Sequence, residues 1–266
     1  MTGAGYLDGP RPRLFAHRGA SGDFPENTLD AFRAGLRAGA DRLELDVHAS
    51  ADGEVVVIHD DTVERTTNGT GAVRELALAA LRRLDAGHRF RAADGTFPYR
   101  GRGLGIPTLA ELLTACPGVP LNIEVKQAAP PIEGTVLSTL DRFGARARTL
   151  LAAEDGVIMA RLRAAAPDVL TSFSAPEVAD FVFRVRDGRL AGYHPPAVAL
   201  QVPPAFRDVP IVTPPFVRAA HDLGLEVHVW TINEEAEMER LLALGVDGLM
   251  TDFPARAAAV LRRPPS

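Results

Sequence analysis

Short strand-forming runs alternate with Ala-, Leu- and Arg-rich helical runs along all 266 residues, and this alternation constrains the fold more than any other feature. The strand candidates are Leu14–His17, Leu43–Val47, Val55–His59, Leu121–Lys126, Thr149–Ala152, Val169–Phe173, Ala199–Val202, Glu226–Trp230 and Gly248–Thr251. Between and after them lie helical runs at Thr28–Ala38, Leu109–Cys116, Ile132–Phe143, Val157–Ala165, Pro176–Val185, Pro214–Leu223, Glu234–Leu244 and Pro254–Leu261. Strand-then-helix units repeated through roughly 250 residues predict a parallel sheet closed into a (β/α)8 TIM barrel.

Nine strand candidates are one too many. Val55–His59 follows Leu43–Val47 too closely for a parallel crossover, and Asp52-Gly53 is a hairpin signal. Val55–His59 is therefore expected as an antiparallel return strand, folded about Asp52-Gly53 so that His59 faces Asp46. The stretch of about 60–105 is polar, Gly-rich and too long for an ordinary loop, which predicts a cap-like insertion after this first hairpin, within a single domain spanning 1–266. Pro195–Pro215 carries seven prolines and reads as an irregular connection, and the tail after Leu261 as frayed.

Composition excludes several classes. One cysteine, Cys116, makes neither an internal disulfide nor a zinc-thiolate site, and its apolar surroundings suit a small buried side chain. Met1–Pro12 lacks the apolar core of a signal peptide, and no window approaches the ~18–20 apolar residues of a membrane span, so integral membrane association is not expected and a cytoplasmic location is. The net charge of −5 and the interleaving of Arg with Asp and Glu argue against a nucleic-acid partner. Nothing in the sequence fixes the oligomeric state.

Chemistry in such a barrel sits where strands end. There the sequence places His17 and Arg18, Glu44 and Asp46, His59, and Glu124 and Lys126. Residues two apart share a strand face, so Glu44 pairs with Asp46 and Glu124 with Lys126, while Leu43, Leu45 and Val47 face the other way. Three carboxylates converging on one mouth repel unless a cation sits among them or nearby Arg residues pair with them. Oxygen ligands without thiolates suit Mg2+ or Ca2+. His17 and His59 are suited to general acid and base work near neutrality, and His48, on the Glu44 face, lies near enough to support them. His88, His194, His221 and His228 have no motif around them and read as structural or exposed.

Arg18 offers a planar fork to a phosphate. Lys126 is the only lysine among 29 basic residues and stands two positions from a proposed metal ligand, which favours a role that Arg cannot fill.

Several motifs then resemble the glycerophosphodiester phosphodiesterase family, among the phospholipase-C-like TIM barrels. They are Ala-His-Arg-Gly-Ala-Ser-Gly at 16–22, Pro-Glu-Asn-Thr at 25–28, Glu-Leu-Asp-Val at 44–47, Val-Val-Ile-His-Asp at 56–60 and Arg-Thr-Thr-Asn-Gly-Thr-Gly at 65–71. Ile-Pro-Thr-Leu-Ala-Glu-Leu-Leu at 106–113, Asn-Ile-Glu-Val-Lys at 122–126, Val-His-Val-Trp-Thr-Ile-Asn at 227–233 and Gly-Val-Asp-Gly-Leu-Met-Thr-Asp-Phe-Pro at 245–254 continue the series in order over nearly the whole chain. The resemblance implies a divalent ion on Glu44, Asp46 and Glu124, an acid/base pair of His17 and His59, and phosphate contacts from Arg18 and Lys126. Asn27 reads as the N-cap of the next helix, Glu26 as either polar support there or a member of the metal shell, and Trp230 as pocket wall or barrel packing. Ala-Ala-Glu-Asp-Gly at 152–156 departs from the Ser-Phe pair of many relatives, and Ser172-Phe173 falls one strand later, which touches the leaving-group pocket more than the phosphate chemistry.

The implied reaction is hydrolysis of a small glycerophosphodiester to sn-glycerol 3-phosphate and an alcohol, a step in lipid metabolism. The nucleophile is either water or the substrate's own 2-hydroxyl. A lysophospholipase D acting on lipid would want an apolar rim, to which Phe90–Tyr99 could contribute. A phosphodiester-binding barrel without catalysis would need no paired histidines.

Overall fold

The structure is a computed structural model and describes residues 5–263; the ends of the leader and tail expectations, residues 1–4 and 264–266, lie outside the described residues. Its strands are β1 (Arg13–His17), β2 (Arg42–Ala49), β3 (Val55–Val57), β4 (Leu121–Val125), β5 (Thr149–Ala152), β6 (Leu170–Thr171), β7 (Ala199–Val202), β8 (Ala205–Phe206), β9 (Val209–Pro210), β10 (Glu226–Val229) and β11 (Gly248–Thr251). The helices are α1 (Leu29–Arg37), α2 (Leu78–Leu81), α3 (Leu109–Ala115), α4 (Glu133–Arg142), α5 (Gly156–Ala165), α6 (Ala175–Arg186), α7 (Pro214–Asp222), α8 (Glu235–Ala243) and α9 (Pro254–Leu261).

Eight parallel strands run in the order β6-β5-β4-β2-β1-β11-β10-β7. A single bridge between Ser172 and Ala199 nearly closes the ring, with the Phe173 N–H donating to the Ala199 carbonyl at 3.0 Å. This is the expected TIM barrel, with helices on the outside. No helix among the described residues is long and apolar enough to cross a membrane.

Period-two patterning sorts the two barrel faces. Leu43, Leu45 and Val47 of β2 and Leu121, Ile123 and Val125 of β4 join the main apolar core with Leu109, Leu112, Val136 and Leu140 of the outer helices. Tyr6, Phe15, Leu150, Ala152, Ala199 and Met250 fill the lumen. At its base the Arg13 guanidinium meets Glu226 at 2.6 and 2.5 Å, and His228 bonds the same carboxylate at 2.9 Å. The lumen is a packed core, so only the opposite end is left for a ligand.

Two local expectations need correction. The hairpin register pairs Val47 with Val57 and His48 with Val56, so Ile58, not His59, faces Asp46. The reason is a three-residue loop, Ala51-Asp52-Gly53, in which Gly53 takes the left-handed position at φ +85°. Strand β3 also stops at Val57. The N-cap of α1 is Thr28, whose hydroxyl accepts from the Ala31 N–H at 3.2 Å, and Asn27 is freed for other work.

Residues 60–105 carry α2, a 3-10 turn at Val73–Glu75, and an apolar cluster of their own in which Val63, Val73, Leu81 and Ala86 pack on Val56, Ile58 and Ile106. Tyr99 of this segment lies against Phe24 and donates to the Asp23 carbonyl at 3.1 Å, which fastens it to the loop after β1. Within 195–215 the chain makes β7 and then the small antiparallel ribbon β8–β9.

Candidate active site

Parallel register sets the site out in rows. His17 stands beside Glu44 across β1 and β2, and Asp46 beside Glu124 across β2 and β4. Lys126 follows directly, its N–H on the Val47 carbonyl. One carboxylate oxygen from each of Glu44, Asp46 and Glu124 lies within 4.8 Å of the other two.

The turn after β1 is tightly specified. The Arg18 N–H donates to Glu44 at 3.0 Å, and both Arg18 and Asn27 hold left-handed backbones at φ +54° and +57°. Gly19 takes φ +89°, and a Cβ there would come within 2.5 Å of the Ala31 carbonyl carbon, so only glycine lets α1 approach. The Asn27 N–H donates to the Arg18 carbonyl, and its side-chain amide donates to Asp46 at 3.0 Å.

Both histidines are anchored from behind. His17 Nδ1 lies 2.7 Å from Asp252, and His59 Nδ1 lies 2.7 Å from Asp60. Asp252 is held in turn by Ser21 and Asn233 at 2.8 and 2.7 Å. Although burial opposes their charge, bonds from His17, Asn233 and Ser21 hold Asp252 down to about 2. Asp60 is also held down to about 2, chiefly by its bond from Arg65. Ionised carboxylates accept, so each Nδ1 carries the proton and each Nε2 is left for a ligand. His17 Nε2 faces Glu44 at 4.0 Å. Burial lowers the His17 pKa, but the Asp252 bond and the Glu44 charge outweigh it and raise it above the ordinary histidine value. His48 donates from Nε2 to the His59 carbonyl at 3.0 Å and so fixes the backbone there.

The carboxylates carry a charge problem. Burial and the neighbouring Asp46 charge push Glu44 up to about 7. Glu124 is raised by burial too, against the pull of Lys126. Asp46 is lowered, because Arg18, Lys126 and His59 outweigh its burial. Arg18 Nε lies 3.2 Å from Asp46, and Lys126 Nζ 2.8 Å from Glu124 and 3.6 Å from Asp46. Two cations thus face three carboxylates, and Asp46 Oδ1 is buried without a hydrogen bond. An all-oxygen set short of positive charge, with a free buried ligand atom, fits a hard divalent cation.

Glu26 lies outside this trio and pairs with Arg18 at 3.1 Å and with Arg65 at 2.6 Å. Trp230 follows β10, half-buried on the lumen cluster. Ser172 and Phe173 are buried, Phe173 edge-on to Phe181 in the main core. Of the other histidines, His228 is buried on Glu226, His221 bonds Asp247 at 2.8 Å, His88 faces Asp85 and His194 is exposed. Cys116 is buried and free. Sequence reasoning missed Asp252, Asn27 as a partner of Asp46, and Arg65. All three sit in motifs that the sequence flagged, but their partners are set by long-range closure.

A family model described as the glycerophosphoryl diester phosphodiesterase family matches residues 17–256. A glycerophosphodiester phosphodiesterase of Bacillus altitudinis is 32% identical over 256 residues, covering 93% of this chain and 97% of its own. The crystal structure of a glycerophosphodiester phosphodiesterase from Agrobacterium tumefaciens superposes with a TM-score of 0.76 at 28% identity, covering 93% of this chain and 99% of that one. A phosphodiesterase of Oleispira antarctica, solved in complex with the product sn-glycerol-3-phosphate, superposes with a TM-score of 0.76 at 27% identity, covering 95% of this chain and 98% of that one.

Proposed function

The chain belongs to the glycerophosphoryl diester phosphodiesterase family and is an enzyme of it, and we propose that it hydrolyses small glycerophosphodiesters to sn-glycerol 3-phosphate and an alcohol by metal-assisted acid/base catalysis. The observation that carries this reading is the pair of imidazoles, each fixed through Nδ1 by its own ionised carboxylate, at a mouth shared with three clustered carboxylates.

Glu44, Asp46 and Glu124 would hold the divalent ion, Mg2+ or Ca2+, which when bound offsets phosphate charge and polarises the phosphoryl group. Arg18 keeps Nη1 on Glu26 and Nε beside Asp46, and Nη2 between them is left to donate to a phosphate oxygen. Lys126 balances Glu124 and Asp46 and presents a compact charge as negative charge builds on the phosphoryl oxygens. The attacking hydroxyl, from water or from the glycerol 2-position, passes its proton to one Nε2. The other imidazole protonates the leaving oxygen as its bond to phosphorus breaks; where the 2-hydroxyl attacks, water then opens the resulting cyclic phosphate at its bond to the 2-oxygen, with the two imidazoles exchanging roles. Trp230 would form part of the substrate wall. Residues 60–105 would cap the mouth of what is one functional unit in the cytoplasm.

The test is a panel of glycerophosphocholine, glycerophosphoethanolamine, glycerophosphoinositol and lysophosphatidylcholine, with release of the head-group alcohol measured for all four and of glycerol 3-phosphate for the three deacylated diesters. Turnover of the water-soluble diesters is the expected result, and binding without turnover in the presence of metal overturns it. Preference for the lysolipid would favour the lipid-directed reading, for which the exposed Phe206 and Val209 of the β8–β9 ribbon offer apolar contact.

Lys126→Arg retains the charge yet replaces a point-like ammonium by a larger planar head between two buried carboxylates. The expected loss in kcat/KM is about 10–100-fold, the range for disturbing groups that support a metal site. Wild-type rates in this variant would show that the single lysine is dispensable.

A further inference from the structure

Arg65 reaches out of the 60–105 segment with both edges of its guanidinium engaged. One edge meets Glu26, Nη1 at 2.6 Å and Nη2 at 2.8 Å. The other meets Asp60, Nε at 2.6 Å and Nη2 at 3.0 Å. Each carboxylate has a second client in the site. Glu26 accepts from Arg18 Nη1 at 3.1 Å, and Asp60 accepts from His59 Nδ1 at 2.7 Å. A continuous ladder therefore runs Arg18–Glu26–Arg65–Asp60–His59, with one guanidinium at its centre.

We infer that Arg65 is the positioning residue that sets the phosphate-binding Arg18 and the acid/base His59 at a fixed separation. Its side-chain hydrogen bonds all go to Glu26 and Asp60, so it acts through them. The inference rests on the acid/base reading of His59 and deepens it, by giving residues 60–105 a part in the reaction.

The chemistry requires arginine at this point. Two carboxylates on two edges need a rigid planar fork, and an ammonium satisfies one of them at a time. Without Arg65, the Glu26 carboxylate has only Arg18 to pair with and draws it away from the substrate. Asp60 likewise loses the partner that fixes its angle to the imidazole. Stability depends far less on the ladder, because Arg65 is about half exposed and exposed ion pairs contribute little.

Arg65→Lys is the informative variant, since it keeps the charge that attracts an anionic substrate. Its kcat is expected to fall about 10–100-fold while KM stays within about twofold and Tm is unchanged, the pattern of lost transition-state geometry. Arg65→Gln is expected to lose at least as much kcat and to raise KM as well. In the cycle with Asp60→Asn the two changes should be strongly non-additive, because both cut the same ladder.

Wild-type kcat in Arg65→Lys overturns the inference. So does a loss confined to KM, which would make Arg65 a source of charge alone, or additive losses that track Tm, which would make it a staple of the inserted segment. These outcomes are separate from failure of the acid/base reading, which would show as full activity in His59→Ala with Arg65 intact.

Discussion

His17→Ala loses about 10²–10⁴-fold in kcat with little change in KM, and His59→Ala behaves alike, because each removes a proton-transfer group needed only in the transition state. The anchoring supports this expectation. Asp252 and Asp60 are ionised far below neutral pH, so each Nδ1 stays protonated and each Nε2 does the exchange. Asp252→Asn is the companion measurement. An amide in place of the acceptor carboxylate frees the tautomer of His17, and the loss should approach that of His17→Ala although the imidazole remains. The raised pKa of His17 adds a sign. Its folded value lies above the ordinary histidine value, so the limb of the kcat/KM–pH profile that reports His17 is displaced to higher pH, and Asp252→Asn brings it back down. Near-normal turnover by either alanine variant would remove the acid/base pair from the mechanism.

What the sequence revealed was what short-range geometry dictates. Side-chain parity along a strand is local and rigid, so Glu44 with Asp46, and the outward Leu43, Leu45 and Val47, follow from spacing alone. The eight-strand count survived for the same reason, since a hairpin and a crossover need different chain lengths. The hairpin register failed by one residue because it depends on which turn Gly53 adopts, and a two- and a three-residue loop differ little in sequence. Asp252 was invisible as the partner of His17, because the two meet only when β11 closes on β1, 235 residues away in the chain. Asn27 was misplaced because N-cap chemistry is a local preference shared with Thr28, whereas its bond to Asp46 requires the left-handed turn at Arg18.

Chelation by EDTA should abolish turnover, and Mg2+ or Ca2+ should restore it. The argument is one of charge. Glu44, Asp46 and Glu124 are gathered within one ligand shell, yet among the described residues the permanently charged cations against them are Arg18 and Lys126, beside the two histidines. The remaining deficit shows as a Glu44 carboxyl pushed up to about 7 by its burial and by the neighbouring Asp46 charge. A divalent ion would drive the Glu44 proton off, so metal binding should release protons and strengthen as pH rises through the Glu44 range. Titration calorimetry in buffers of different ionisation enthalpy measures the release directly, without reference to turnover. Glu44→Gln, Asp46→Asn and Glu124→Gln should each weaken binding, and Glu44→Gln should also suppress the proton release, since it removes the group that titrates. Wild-type rates after exhaustive chelation would leave Arg18 and Lys126 as the only cations at the phosphate. Unaltered metal affinity in all three amide variants would instead move the metal site away from these carboxylates.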